Sequence, residues 1–399
     1  MIDPVSLTDI ERAATLTSEV ALVTPMIPTH SFSAMAGAEV WLKAENLQRT
    51  GSFKIRGALN RLSLLEEPDR GVVAASAGNH AQGVALAAAH YGISATVFMP
   101  VDASIPKINA TRGYGADVRL VGNDLGESVD AATAFAAGTG AELIHPYDDP
   151  AIIAGQGTLG LEVIDQLPTA GVVVIPVGGG GLIGGSATAI KAQRPDVMVI
   201  GVEAEAMPLY AECRRAGKPV DIPSMPTVAD GIAIPRGSEP AFALIEAHVD
   251  ELLTVSDVEA TETVALLLER AKFLVEPAGA VGLAAVLAGK VPTDKGPIVA
   301  VLSGGNVDLL LIDRIVRHGL EARGRFGTVT VRVPDSPGNL AGVINAIADH
   351  GGNVLAVEHH REGTGLQFGE VEIFVAFATR STEHHSEIMG ALGELGVVG

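Results

Sequence analysis

The sequence is poor in cysteine and in positive charge. Its 399 residues include a single cysteine, Cys213, which excludes an internal disulfide framework and is interpreted as an ordinary helical residue rather than a nucleophile. Lys and Arg together number 27 against 47 Asp and Glu, which gives a net charge of −20. Nucleic-acid affinity comes mainly from Lys and Arg that displace counterions, so this balance argues against a nucleic-acid partner.

Long apolar runs and a signal peptide are also missing. The apolar residues, 47% of the chain, occur in short stretches, and none approaches the roughly 18 residues that a membrane-spanning helix requires. The N-terminal segment MIDPVSLTDIERAA has no basic region followed by an apolar one, which is the pattern of a secretory signal. We therefore expect a cytoplasmic protein that does not enter a membrane, with a large buried core in two or three domains.

Short Val- and Ile-rich runs alternate with longer Ala- and Leu-rich segments through most of the chain. Runs such as GVVAAS, VVVIPV and IVAVLSG are apolar at consecutive positions, as in strands that are buried on both faces. Segments of helical period, such as AQGVALAAAHYG, lie between them. This alternation predicts an α/β architecture with open, mainly parallel sheets covered by helices.

The last part of the chain has a different pattern. The segment HGLEARGRFG is typical of a linker, and residues 324–399 then follow the order strand, helix, strand, strand, helix. This order predicts a small α+β unit of the ferredoxin-like type, whose final strand has barely begun at Val397 and Val398. Two histidine pairs, at 359–360 and 384–385, lack the cysteines or spaced carboxylates of a metal site, so they are interpreted as solvated surface residues.

Lys54 is the first residue whose chemistry stands out. It lies in TGSFKIRGA, residues 50–58, where a helix is expected to begin at Ser52. On spacing alone, a lysine in an exposed first turn is an ordinary solvated charge. A lysine held against apolar neighbours, however, has its neutral form favoured and becomes a candidate for Schiff-base chemistry.

A second motif, SAGNHAQG, follows a predicted buried strand at residues 76–83. A tight turn through Gly78 would bring backbone amides and the Ser76 hydroxyl to the N-terminus of a helix, an arrangement that binds a carboxylate without a cation. The alternative is an ordinary strand-to-helix turn in which Asn79 caps the helix. That alternative leaves the clustering of Ser76 and His80 beside the turn unexplained.

Two further predicted strands run into glycine. VVVIPV leads directly into four glycines at 178–181, and IVAVLSGGN ends at residues 303–306. Successive glycines let the backbone approach a phosphate, which N–H groups and the helix dipole then hold. The first motif matches neither a nucleoside triphosphate loop nor a complete dinucleotide fingerprint, so a monophosphate fits better. The lysine, the carboxylate-binding turn and the two glycine motifs are all expected at the carboxyl ends of strands, where ligands of open α/β sheets bind.

The motifs together resemble one enzyme family. SFKIRGA, SAGNHAQGVA, GGGGLIGG, VEPAGA and SGGNVD occur in the order and spacing of the fold-type II pyridoxal phosphate enzymes, the tryptophan synthase β-like group, and the chain is most similar to the threonine dehydratases among them. Residues 324–399, with DSPGNL at 335–340, resemble an ACT domain, an amino-acid-sensing module. The resemblance implies a catalytic domain over residues 1–323, with a smaller subdomain at about 48–148, and an ACT domain over 324–399.

The resemblance also implies roles for individual residues. Lys54 would bind pyridoxal 5'-phosphate as a Schiff base, with Phe53 near the ring and Ser303 facing the pyridine nitrogen. The other cofactor contacts would be Asn79 at the 3-hydroxyl and, at the phosphate, Gly178, Gly179, Gly180, Gly181 and Leu182. The substrate carboxylate would lodge on Ser76, Ala77, Asn79 and His80. The effector contacts of the ACT domain would be Gly338, Asn339 and Leu340.

The reaction that the resemblance implies is deamination of L-threonine to 2-oxobutanoate and ammonia. L-Serine would be a secondary substrate, since one methyl group discriminates by only about 10- to 200-fold. The acid for the leaving hydroxyl stays open between the cofactor phosphate and a nearby hydroxyl. Serine racemases have a second serine where this chain has Ala77, so racemisation should be poor. Some relatives have a metal site with an acidic residue after the position of Glu203, and this chain lacks that acid, so no metal is expected. Glu276 in VEPAGA is either a group near the substrate or a buried hydrogen-bond acceptor.

Regulation and assembly have alternatives. A branched-chain amino acid such as isoleucine or valine is the effector that the resemblance implies, and a catabolic threonine or serine dehydratase without isoleucine feedback is the alternative. ACT domains bind ligands at paired interfaces, so a homodimer or homotetramer is expected. A β-replacement enzyme is disfavoured by SAGNHAQG, and a non-catalytic ACT sensor is disfavoured by Lys54 together with the glycine motif.

Overall fold

The computed structural model describes residues 4–362, 366–395 and 397–398, and it divides into two compact units, Met1–Asp308 and Leu309–Gly399. This division assigns the segment from residue 309 onward to the second unit, whereas the domain boundary after residue 323 stays a prediction. No helix in the described ranges is both long and apolar enough to cross a membrane.

The first unit contains two sheets of short strands. The strands are β1 (Met26–Pro28), β2 (Val40–Ala44), β3 (Val72–Ala75), β4 (Ala95–Met99), β5 (Asp117–Leu120), β6 (Glu142–Leu143), β7 (Val172–Pro176), β8 (Met198–Ala204), β9 (Glu251–Val255) and β10 (Ile298–Leu302). The larger sheet has the order β1-β2-β10-β7-β8-β9 and is parallel except for β1. The smaller sheet, β5-β4-β3-β6, is parallel.

Helices connect these strands and pack against them. They are α1 (Leu7–Thr17), α2 (His30–Ala36), α3 (Lys54–Ser63), α4 (Asn79–Tyr91), α5 (Ile105–Gly113), α6 (Leu125–Thr139), α7 (Pro150–Gln166), α8 (Gly181–Gln193), α9 (Leu209–Ala216), α10 (Glu239–His248), α11 (Asp257–Leu266) and α12 (Pro277–Leu287). Short 3-10 turns lie at Glu45–Leu47, Pro68–Arg70 and Asp230–Ile232, and a π-helical turn at Leu267–Ala271. The strands β7 and β10 read VVVIP and IVAVL and are buried at every position, because helices cover such parallel strands.

Strand order determines which loops meet. Strand β10 lies between β2 and β7 and runs parallel to both. The carboxyl ends of β7 and β10 are therefore neighbours at one edge of the sheet, where ligands of open α/β sheets bind. The glycine loop after Pro176 and the loop that begins at Ser303 consequently lie side by side.

The second unit contains an antiparallel sheet and helices. Its elements are α13 (Leu309–Ala322), β11 (Phe326–Pro334), α14 (Asn339–Asp349), β12 (Asn353–His360), β13 (Glu370–Ala378), α15 (Thr382–Gly393) and β14 (Val397–Val398). The sheet order is β12-β13-β11-β14. Strand β14 is two residues long and pairs with β11 at Val331 and Arg332. The predicted α/β architecture and the C-terminal α+β unit are both confirmed.

Candidate active site

The loops after β3, β7 and β10 surround one cavity of about 350 Å³ in the first unit. Every residue that the sequence suggests for the cofactor or the substrate lines this cavity: Phe53, Lys54, Ser76, Ala77, Asn79, His80, Gly178, Gly179, Gly180, Gly181, Leu182 and Ser303. Four motifs that are far apart in the chain thus contribute to a single site.

Lys54 is the first residue of α3, and its side chain lies in the cavity wall. Its Nζ donates a hydrogen bond to the carbonyl of Pro146 at 2.9 Å and lies 5.2 Å from the centroid of the Phe53 ring. Burial favours the neutral amine and lowers the pKa of Lys54 to about 8, while the negative charge of Glu276 acts in the opposite direction. The lysine therefore has the setting that favours Schiff-base chemistry rather than that of a solvated charge.

The turn after β3 presents backbone amides at the start of α4. Gly78 occupies the N-cap position and no side chain caps the helix, so Asn79 is not the cap that the alternative interpretation requires. The Ser76 hydroxyl accepts a hydrogen bond from the Gly78 amide at 3.1 Å. Amides at a helix N-terminus carry partial positive charge, and they suit a carboxylate.

The ring of His80 forms a hydrogen bond with a backbone carbonyl. Its Nε2 lies 2.9 Å from the carbonyl oxygen of Ile144. Burial lowers the pKa of the His80 imidazole to about 3, so the ring is neutral at physiological pH and donates from Nε2 to that carbonyl. The group that residue 80 can offer to a carboxylate is its backbone amide.

The loop after β7 closes tightly around the start of α8. Gly180 adopts φ +82°, a left-handed conformation that favours glycine. A Cβ at Gly179 would lie closer than 3.0 Å to the ring of Tyr147, and the Tyr210 hydroxyl donates to the Gly179 carbonyl at 2.9 Å. Helix α8 begins at Gly181 without a side-chain cap. The loop therefore combines close backbone approach with free amides, which suits a phosphate.

Ser303 follows β10 and is buried in the cavity wall. Its carbonyl accepts a hydrogen bond from the Phe53 amide at 3.2 Å, which joins this loop to the segment that carries Lys54. An amine, a neutral hydroxyl and a phosphate-binding loop in one cavity fit pyridoxal phosphate, which has an aldehyde, a pyridine nitrogen and a phosphate.

Comparison with known proteins shows the family to which the chain belongs. The family model for pyridoxal-phosphate dependent enzymes matches residues 18–304, and the ACT domain model matches residues 327–395. The chain belongs to the pyridoxal-phosphate-dependent enzymes. It is 45% identical to the L-threonine ammonia-lyase of Thermotoga maritima over 386 residues, which are 96% of either chain.

Two further relatives of this pyridoxal-phosphate-dependent enzyme are informative. A catabolic L-threonine dehydratase of Staphylococcus aureus is 42% identical over 322 residues, 79% of this chain and 93% of the relative. The structure of the processed form of a threonine deaminase from Solanum lycopersicum matches with a TM-score of 0.74 and 35% identity, covering 77% of this chain and 86% of that one. The predicted family, cofactor and enzyme class are confirmed, and the roles of individual residues stay predictions.

In this pyridoxal-phosphate-dependent enzyme, Glu203 holds the start of α9. Its two carboxylate oxygens accept from the amides of Tyr210 and Ala211 at 2.6 and 3.0 Å. Burial raises the pKa of Glu203 to about 7. Within the described part of the chain, no group of three or more His, Cys, Asp or Glu side chains could hold a metal ion.

Several residues that line the cavity have no role assigned from the sequence, among them Lys107, Tyr147, Asp230 and Asn306. Asn306 belongs to the SGGN motif, so its place after a buried strand was a usable signal. Its Nδ2 donates to Asn79 Oδ1 at 2.6 Å. Nothing in the local sequence indicates that Tyr147 packs against the glycine loop, since this contact depends on the loop after β6.

In the second unit, the predicted effector contacts line a cavity of about 390 Å³. Gly338, with φ +99°, precedes α14, and Asn339 and Leu340 begin that helix. Asp335 and Arg361 also line the cavity, and the Arg361 Nε lies 3.3 Å from Asp335 Oδ2. The three predicted residues therefore share a cavity that carries charges of both signs.

The histidine pairs are not all solvated. The Nε2 of His384 lies 2.7 Å from the carbonyl of His350, and the side chain is buried. The ring of His385 stacks on Phe377 with 5.6 Å between centroids. The interpretation as a solvated residue is therefore wrong for His384, which α15 packs inward, whereas His385 and the side chains at 359–360 are partly or fully exposed.

Proposed function

We propose that this protein is an L-threonine ammonia-lyase. It converts L-threonine to 2-oxobutanoate and ammonia by β-elimination of water, and it converts L-serine to pyruvate as a secondary activity. The observation that carries the proposal is the meeting of a lysine amine, an amide cradle and a phosphate-binding loop in one cavity. The 45% identity to the L-threonine ammonia-lyase of Thermotoga maritima supports it.

Pyridoxal phosphate, when bound, supplies an electron sink that stabilises negative charge at the α-carbon of an amino acid. Lys54 accepts the α-proton, since an amine whose pKa is near 8 is partly neutral at physiological pH. Ser303 would offer the pyridine nitrogen a neutral hydroxyl, which would leave the ring less protonated than an aspartate would and would suit elimination. The backbone amides of residues 178–182 would hold the phosphate.

The turn after β3 orients the substrate. The substrate carboxylate binds the Ser76 hydroxyl and the backbone amides of Ala77, Asn79 and His80, which directs the α C–H bond toward Lys54. Ala77 carries no acid or base, so no side chain at this position protonates the opposite face of the α-carbon. Loss of the α-proton and the β-hydroxyl leaves an enamine, and its hydrolysis gives 2-oxobutanoate and ammonia.

The ACT domain is proposed to bind a branched-chain amino acid, isoleucine or valine, through Gly338, Asn339 and Leu340. The ion pair of Asp335 and Arg361 in the same cavity supports this, because a zwitterionic amino acid carries both charges. Control of activity requires that the ligand favours one of two arrangements of the protein. A catabolic enzyme without isoleucine feedback is the second candidate, which the similarity to the Staphylococcus aureus dehydratase favours.

A homodimer or homotetramer in the cytoplasm is part of the same proposal, as is a catalytic domain that ends near residue 323. The ACT domain supports oligomerisation, since such modules act in pairs. Cys213 is a free, buried thiol, which fits a reducing compartment. Light scattering of the purified protein measures the subunit number directly.

The test of the reaction uses purified protein loaded with pyridoxal phosphate. L-Threonine, L-serine, and L-serine with sulfide are supplied in turn, and products are identified by NMR. We expect 2-oxobutanoate from threonine, pyruvate from serine at a lower rate, and no cysteine. Cysteine formation without keto acid would make the protein a β-replacement enzyme, and no product at all would favour the sensor alternative. Repetition with isoleucine separates feedback control, where release falls, from a catabolic role, where it does not.

A further inference from the structure

Glu276 is a buried carboxylate of the active-site cavity to which the proposed reaction gives no task. It occupies the N-cap position of α12, yet its side chain does not cap that helix. Its Oε1 instead accepts a hydrogen bond from Asn79 Nδ2 at 2.7 Å. Its own amide donates to the Gly304 carbonyl at 3.0 Å, which joins its backbone to the loop after β10.

The carboxamide of Asn79 is held at both of its polar atoms. Its Oδ1 accepts from Asn306 Nδ2 at 2.6 Å, and Asn306 Nδ2 also donates to the Thr50 carbonyl at 2.7 Å. A carbonyl only accepts hydrogen bonds, so the amide nitrogen of Asn306 faces Thr50 and donates to Asn79 Oδ1. The amide nitrogen of Asn79 therefore faces Glu276. Rotation of this carboxamide by half a turn would lose both bonds. One N–H of Asn79 remains for a further acceptor.

The space around this hydrogen bond is closed. A Cβ at Gly304 would lie closer than 3.0 Å to Glu276 Oε1, so a side chain there would displace the carboxylate from Asn79. The charged groups that face Glu276 are Lys54 on α3, Lys107 on α5 and Asp230 on the 3-10 turn. Burial, followed by the charge of Asp230, raises the pKa of Glu276 to about 7.

We propose that Glu276 is a positioning residue, which holds Asn79 so that its remaining N–H points to the phenolic oxygen of bound pyridoxal phosphate. The proposal rests on the proposed function in one respect, the assignment of Asn79 to that oxygen. The charge of Glu276 has a second effect. A nearby negative group stabilises the protonated form of the bound cofactor and so raises the pKa of that cofactor. Glu276 thus affects the cofactor through both the orientation of Asn79 and its own charge.

Two substitutions separate orientation from charge. Glu276→Gln keeps an oxygen that can accept from Asn79 but removes the charge, whereas Glu276→Ala removes both. The first measurement is the visible absorbance of the cofactor-loaded protein against pH, without substrate. For Glu276→Gln we expect the midpoint of the spectral transition to fall by about one pH unit. Glu66→Gln is the control, since its carboxylate is exposed to solvent, which screens its charge, and it does not line the cavity, so the midpoint should not move.

The second measurement is cofactor affinity in a double-mutant cycle. Glu276→Ala and Asn79→Ala should each weaken binding by about tenfold. Because part of the effect of Glu276 runs through Asn79, the loss of affinity in the double variant should be clearly smaller than the product of the two single losses, since coupled residues are not additive. An additive loss of about a hundredfold overturns the positioning role, and an unchanged midpoint in Glu276→Gln overturns the effect of charge. Circular dichroism verifies folding, and if Glu276→Ala does not fold, Glu276→Leu, which also has no acceptor for Asn79, replaces it in the cycle.

Neither measurement contains an amino-acid substrate. Failure of the wild-type protein to release 2-oxobutanoate would therefore overturn the proposed function and leave the role of Glu276 standing. If the wild-type protein deaminates threonine but Glu276→Gln leaves the spectral midpoint unchanged, the proposed function stands and the effect of the Glu276 charge is refuted.

Discussion

Substitution of Gly179 by alanine should weaken cofactor binding strongly, because the loop after β7 has no room for a methyl group. The new Cβ would lie closer than 3.0 Å to three atoms of the Tyr147 ring. The hydroxyl of Tyr147 donates to the Arg236 carbonyl at 3.2 Å, so the ring cannot swing aside without losing that bond. Overpacking of this kind costs about 1–3 kcal/mol. If this cost falls on the loop conformation that binds the phosphate, the affinity for the cofactor decreases by about 5- to 150-fold.

The assay is titration of the cofactor-free protein with pyridoxal phosphate, followed by visible absorbance. Gly138→Ala is the matched control, since a Cβ at that position on α6 meets open space. Tyr147→Ala removes the obstacle, so in that background Gly179→Ala should change affinity little. Wild-type affinity for the single variant Gly179→Ala, or an equal loss in both backgrounds, would refute this reasoning.

Three other substitutions or conditions give further tests. The rate of cofactor association should rise with pH and level off above a midpoint near 8, since the neutral Lys54 amine reacts; a midpoint near 10.5, the ordinary lysine value, would contradict the burial effect. Arg56→Met should lower the free energy of unfolding in urea by about 3–5 kcal/mol, because it leaves the buried Glu45 without its 2.8 Å partner. Arg12→Met, which breaks an exposed pair, should change it by less than about 1 kcal/mol, and equal losses would contradict the role of burial. Ala77→Ser should raise D-serine formation from L-serine about a hundredfold by chiral chromatography, and no increase would show that a hydroxyl there does not reach the opposite face.

Local patterns predicted most of the fold. The runs VVVIP and IVAVL are apolar at every position, and both are buried strands in the structure. The order in which strands pair is not contained in such patterns. Strand β10 pairs with β2 and β7, which lie far apart in the chain, and this pairing brings the Ser303 loop to the segment that carries Lys54.

Contacts between distant side chains account for what the sequence could not indicate. Glu276 and Asn79 are 197 positions apart, and Asn306 and Asn79 are 227 apart, so their network depends on the assembled sheets. The interpretation of His384 as a solvated residue failed for the same reason, since its partner is the His350 carbonyl on another element. Asparagine is a common N-cap, yet Gly78 takes that position because of the backbone turn.

Borohydride reduction followed by peptide mapping tests most directly whether Lys54 carries the cofactor. Reduction turns the linkage between a lysine and pyridoxal phosphate into a stable amine, which mass spectrometry locates. We expect the added mass on the peptide that contains Lys54, and no such label in the Lys54→Ala variant. A label on another lysine of the wild-type protein, or equal labelling of the variant, would contradict the assignment on which the proposed reaction depends.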